Sequence, residues 1–189
     1  AGFLGHLVIR MGERTGEIMV NVVTNGNDPE RMTLLARVLR TRFPEITTFV
    51  NAINRGVAQT AFGEEVKTIY GPGVIHDYIG NYKVEITPNA FFQTNTGQAE
   101  YLYRVARDFA ELKPTDLLYD LYCGAGTISI FVSSFVKHVV GVELIAEVVE
   151  NARANAKANG VTNCTFVCGD LTHIFTPEFV HQYGKPDVM

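Results

Sequence analysis

The stretch Leu117-Leu118-Tyr119-Asp120-Leu121-Tyr122-Cys123-Gly124-Ala125-Gly126-Thr127 decides the fold. Its first five residues make a short, mostly apolar run of strand length, and the glycines behind them turn the chain into the helical pattern of Gly126 to Val136. The rhythm then repeats. His138 to Val142 reads as a second strand, Ile145 to Asn159 as an alanine-rich helix stopped by Gly160, and Cys164 to Val167 as a third strand. Strands alternating with helices predict an α/β fold, a parallel doubly wound sheet with right-handed crossovers. A fourth strand begins at Asp187, and a sheet of barely three strands makes a poor independent domain. The natural protein is therefore expected to continue.

Upstream the texture differs. Leu7 to Thr24 holds two β-rich runs around M-G-E-R-T-G-E, which predicts a hairpin. Asp28-Pro29-Glu30 supplies a cap and a proline at the first helical position, and Met32, Leu35, Val38 and Leu39 follow at helical spacing until Pro44. Ile46 to Asn54 and Glu65 to Tyr70 read as strands, and Val74 to Ile86 as another pair after the Gly71-Pro72-Gly73 turn. Residues 1–86 thus form a small α+β unit, and residues 87–189 begin with a long helix from Thr96 to Leu112 and continue into the first half of a doubly wound, Rossmann-like sheet.

The chain has 189 residues and 47% hydrophobic content, enough for a sizeable core. No apolar run approaches the roughly 18 residues of a membrane span, and there is no signal-peptide pattern, so the reading is cytoplasmic with no membrane partner. Three cysteines, Cys123, Cys164 and Cys168, are too few for a disulfide framework. Cys164 and Cys168 share a strand face, but zinc would need two more ligands, and His173 and His181 do not make a convincing set; no metal is expected. Net charge is −4, so no basic footprint announces nucleic acid.

A glycine turn after the first strand lets a ligand approach the backbone. The NAD fingerprint asks for a third glycine where this chain has Ser129, which argues against a dinucleotide. Glu143, ending the second strand, is placed to accept both hydroxyl protons of a ribose, and Asp170, after the third, to accept from an adenine amine or to cap a helix. Together these describe an adenosine site. The D-x-x-C-G-x-G form resembles class I methyltransferases and points to S-adenosyl-L-methionine.

Ahead of the sheet lies F-F-Q-T-N-T-G-Q-A-E-Y-L-Y, from Phe91 to Tyr103. With D-L-Y-C-G-A-G-T-I-S-I, G-V-E, N-A-x-x-N-A-x-x-N-G and N-C-T-F-V-C-G-D in that order, it resembles the RNA (uracil-5-)-methyltransferase family, from about Leu7 to the last residue. The resemblance implies S-adenosylmethionine-dependent methylation of carbon 5 of a uridine in rRNA or tRNA. It assigns Gln93, Tyr122, Gly124, Gly126 and Glu143 to the cofactor site, with Thr127 and Asp170 as secondary contacts and Asn95 shaping the loop. In that family a cysteine thiolate adds to carbon 6 before carbon 5 takes the methyl. The resemblance puts that cysteine and the base beyond Met189, so the isolated chain is expected to be without turnover, and Cys123 is read as packing. The arginines that would meet RNA are Arg10, Arg14, Arg31, Arg37, Arg40 and Arg42. A free sheet edge at the end of the chain is expected to favour self-association. The alternatives are a class I enzyme acting on an exocyclic amine of a base, and a non-catalytic RNA-binding module.

Overall fold

The computed structural model describes residues 2–56 and 62–189. They fall into two compact units between which one hairpin is divided: residues 1–77 with 85–89, and residues 78–84 with 90–189. The division is therefore not a single cut between residues 86 and 87. Strands β5 (Ile75–Ile79) and β6 (Tyr82–Ile86) pair as a two-stranded sheet and contribute to both units.

In the first unit, β1 (Leu4–Met11) runs antiparallel to β2 (Ile18–Thr24), β2 parallel to β3 (Thr48–Ile53), and β3 antiparallel to β4 (Glu65–Tyr70), in the order β1-β2-β3-β4. The parallel pair is bridged by helix α1 (Pro29–Arg42). Asp28 caps α1 by accepting from the Arg31 N–H at 3.0 Å, and Pro29 costs nothing where the first N–H has no intrahelical partner anyway. Met32 and Ala36 face the sheet and close a core with Val20, Val22, Ile46 and Phe49. The turn after β1 is held by a buried carboxylate, with the Glu13 and Arg14 N–H groups donating to Asp77 at 3.1 and 3.0 Å.

In the second unit, α2 (Thr96–Phe109) precedes three parallel strands in the order β7-β8-β9: β7 (Leu117–Asp120), β8 (His138–Glu143) and β9 (Cys164–Cys168). The helix between β7 and β8 is shorter than its pattern: α3 (Thr127–Val132) passes into a 3-10 turn at Ser133–Phe135, and Ser133 donates to the Ile130 carbonyl at 2.8 Å. Helix α4 (Ala146–Ala158) connects β8 to β9. Val139 and Leu118 pack toward α2 and α3, Phe166 toward α3 and α4. Tyr119, Val140 and Val142 point to the other face, against two short helices absent from the sequence reading, α5 (Leu171–Ile174) and α6 (Pro177–Tyr183). The sheet is thus covered on both faces.

The stretch expected to start a fourth strand makes a single parallel bridge, Val188 to Leu118, with Tyr119 N–H donating to the Val188 carbonyl at 2.9 Å. The chain has moved outward from β7 to β9 and then returned to the far side of β7, which makes β7 the switch point of the sheet. Each outer strand of the sheet carries a contact from within the chain. Val188 covers β7, and on β9 the Arg153 guanidinium donates to the outward carbonyl of Phe166 at 2.6 Å. No helix among the described residues is long and apolar enough to cross a membrane.

Met32 is fully buried between α1 and the first sheet. Met32→Ala should cost about 2–5 kcal/mol of stability in urea unfolding followed by circular dichroism; a loss under about 1 kcal/mol would mean that this core does not hold the first unit together.

Candidate cofactor site

Residues Leu121 to Gly126 turn the chain from β7 into α3 at the switch point. The turn is fixed from three directions. Cys123 N–H donates to the Val142 carbonyl at 3.0 Å, Gly124 N–H to Glu143 Oε2 at 3.2 Å, and the Asn155 side chain on α4 to the Ala125 carbonyl at 3.2 Å. The other Glu143 oxygen, Oε1, accepts from Ile145 N–H at 2.9 Å. Each carboxylate oxygen keeps a lone pair for a further donor.

The two glycines have different reasons. Both have positive φ, 53° at Gly124 and 78° at Gly126. A Cβ at Gly126 would lie 3.0 Å from the Phe166 ring and 3.1 Å from Ala152 Cβ, so its bareness serves packing inside the unit. A Cβ at Gly124 would meet nothing within 4 Å. Only Gly124 leaves open room beside Glu143.

Gly124 and Glu143 are in direct contact, and Tyr122, Gly126 and Thr127 sit on the same turn. Tyr122 is 83% exposed and available to lie against a ligand. The Thr127 hydroxyl is taken up by Tyr103 on α2, 3.1 Å away. Asp170 is joined to the site through the chain, since Gly169 N–H donates to the Glu143 carbonyl at 2.9 Å. Its Oδ1 caps α5, accepting from Thr172 N–H at 2.8 Å and the Thr172 hydroxyl at 2.6 Å. Those two bonds hold its carboxyl below the ordinary carboxylate range. Gln93 is half-buried in the loop before α2, and no hydrogen bond among the described residues joins it to the turn. Of the paired aromatics ahead of it, Phe92 packs into the core while Phe91 is exposed. Asn95 caps α2, accepting from Gln98 N–H at 2.9 Å.

Two functional-looking residues escaped the sequence reading. Asp120, at the end of β7, accepts from the Ser129 hydroxyl at 2.7 Å. Burial pushes its carboxyl up, the Ser129 hydrogen bonds work against that, and the negative Glu143 adds to it. Glu100, given no role by the sequence motifs, is buried, accepting from Gly80 N–H at 3.0 Å and pairing with Arg104. Burial likewise raises the Cys123 thiol, and pushes Cys164 up to about 12, so neither is a ready thiolate. Among the described residues no three His, Cys, Asp or Glu side chains gather as a metal site.

The fold is that of a methyltransferase, and comparison with known proteins gives the family. Residues 72–174 match the model for tRNA (uracil-5-)-methyltransferase, and the chain belongs to that family. An uncharacterized RNA methyltransferase of Porphyromonas gingivalis is 39% identical over 188 residues, covering 100% of this chain and 40% of the relative. One from Bacteroides thetaiotaomicron is 37% identical, covering 100% of this chain and 42% of its own length. The chain thus spans about two fifths of the curated relatives it matches. Among solved structures, the tRNA (uracil-54, C5)-methyltransferase of Pyrococcus abyssi in complex with S-adenosyl-L-homocysteine is similar at TM-score 0.70 and 30% identity, over 90% of this chain and 40% of that one. The M. jannaschii tRNA m1G37 methyltransferase shares the fold at TM-score 0.56 and 12% identity, over 90% of this chain and 51% of that one.

Two outcomes follow from the turn. Gly126→Ala adds a tight contact to the cost of positive φ, about 1–2 kcal/mol, whereas Gly124→Ala carries the φ cost alone. In thermal unfolding Gly126→Ala should melt lower; equal melting temperatures would refute the packing role. For Asp120, the folded pKa lies above the unfolded value of about 3.9. Its contribution to stability is complete below that value and is lost as pH rises through the folded pKa. Asp120→Asn should therefore gain on the wild type as pH climbs from about 4 toward neutrality, read by urea titrations at each pH. A difference that does not change with pH would show Asp120 titrating as in the unfolded chain.

Proposed function

We propose that this chain supplies the cofactor-binding part of an S-adenosylmethionine-dependent enzyme that methylates carbon 5 of a uridine in tRNA or rRNA. The observation that carries the reading is the Glu143 carboxylate, oriented by two backbone amides at the switch point beside the open face of Gly124. Family membership and the homocysteine complex of the Pyrococcus abyssi relative support it.

The residues fit the group. Two carboxylates, Asp120 and Glu143, stand at the ends of neighbouring strands, a negative setting suited to a cationic, hydroxyl-bearing ligand. When bound, S-adenosylmethionine supplies an electrophilic methyl on a sulfonium. Glu143 accepts the two ribose hydroxyls through the lone pairs left over from Gly124 and Ile145. Gly124 admits the ligand to the backbone, and the exposed Tyr122 ring shields one side. Gln93 approaches from the loop before α2, and Asp170 accepts from the adenine amine with the carboxylate oxygen not committed to capping α5. Thr127 shapes the turn through Tyr103. The thiolate that would add to carbon 6 of the uracil is not furnished by Cys123 or Cys164, whose thiols burial holds protonated. We assign the four-stranded unit the RNA side and the enzyme a cytoplasmic location.

Isothermal titration of S-adenosylhomocysteine into the chain and into Glu143→Ala tests this. Saturable binding is expected, weakened at least about tenfold in the variant, or about 1.4 kcal/mol. Equal affinity in both, or none in a folded wild type, would sink the assignment.

A further inference from the structure

The first unit's surface is uneven in charge. The chain as a whole carries −4, yet residues 31–42 hold Arg31, Arg37, Arg40 and Arg42 and no carboxylate. The structure sorts the arginines that the sequence offered. Arg10 donates to the Pro88 carbonyl at 3.1 Å, and burial lowers its pKa, which makes it an internal brace. Arg14 belongs to the turn held by Asp77. Arg31 sits 3.3 Å from Asp28 and 4.7 Å over the Phe3 ring. Arg37 and Arg40 are different. Both are exposed, and among the described residues no carboxylate pairs with either guanidinium. They line an open groove of ≈ 450 Å³ between α1 and β4, with Thr33, Ile69 and Tyr70.

A structural explanation exists for cations in the last turn of a helix, where they offset the negative end of the dipole. It covers Arg40 in part and does not cover Arg37. Arg37 lies before the last turn, and Arg40, though in that turn, has its guanidinium 4.2 Å over the Tyr70 ring. Stacking on a ring fixes a planar fork with its donors free at the edges, the form that suits bidentate contact with phosphate. The Thr33 hydroxyl adds a neutral donor in the same groove.

We propose that the groove between α1 and β4 is an RNA-backbone contact surface, in which Arg37 and the Tyr70-stacked Arg40 pair with phosphates of a single strand. This rests on the function proposed above and adds to it where, outside the cofactor site, the RNA is held. Because the contacts go to phosphate, they position the strand without reading its sequence.

The test is fluorescence anisotropy with a labelled oligouridylate and the full chain, repeated from about 50 to about 200 mM salt. Arg37→Gln with Arg40→Gln should bind several-fold more weakly and flatten the log–log salt slope by about 1.4, at roughly 0.7 per phosphate contact on a single strand. Arg37→Lys with Arg40→Lys, which keeps both charges, should retain the slope. Lys137→Gln with Lys185→Gln removes the same charge from exposed positions of the second unit and should change little. An unchanged slope in the glutamine pair, an equal loss in the lysine control, or no oligouridylate binding by the wild type overturns the proposal. Titrating S-adenosylhomocysteine into the same samples separates the two readings: cofactor binding without RNA binding removes only this surface, and loss of both removes the proposed function as well.

Discussion

The Glu143 carboxylate accepts one backbone N–H from the turn after β7 and another from the start of the α4 connection, and the order of the second unit depends on that clamp. It joins the loop after β7 to the loop after β8, beside the Cys123–Val142 and Asn155–Ala125 hydrogen bonds that hold the same turn. The oxygens are oriented before any ligand arrives, so little ordering is left to be done on binding. A glutamine would keep one acceptor and turn the other into a donor facing an N–H. A shorter aspartate would not span both amides.

Around this clamp the buried polar groups act as joints. Asp77 holds the β1–β2 turn, Glu100 ties α2 to the turn of the β5–β6 hairpin, and Asn155 ties α4 to the glycine turn. Each satisfies backbone N–H or C=O groups that would be costly to bury unpaired. Asp120 is the exception in kind. Its partners are the hydroxyl and the backbone of Ser129, its neighbour is another carboxylate, and burial disfavours its charge. A cation bound beside it would relieve that cost, which is consistent with the ligand proposed for the site.

The aromatic residues on the far face of the sheet do a different job. Tyr119 meets Phe179 edge-on at 5.7 Å, and Phe179 meets Tyr183 at 4.6 Å, so a short helix is fixed by ring contacts that its length alone would not support. On the outer side of β9, Arg153 reaches the Phe166 carbonyl. Both features stabilise the unit beyond what three strands would provide by themselves.

The sequence by itself determined the α/β alternation, the cap and extent of α1, the glycine turn and the family, because each is written in contiguous residues whose spacing has one physical meaning. Helix α6 went unread although Thr176-Pro177-Glu178 repeats the cap-proline-acid order of Asp28-Pro29-Glu30. Tertiary structure alone decided the rest. Which glycine serves packing and which leaves room depends on Phe166, forty residues away along the chain. Whether Glu100 is surface or joint depends on Gly80, and whether an arginine is a brace or a free cation depends on what the fold sets beside it. Periodicity reports how a segment faces its own axis; it carries no information about which distant group occupies the space opposite, and that occupant sets burial, charge and role.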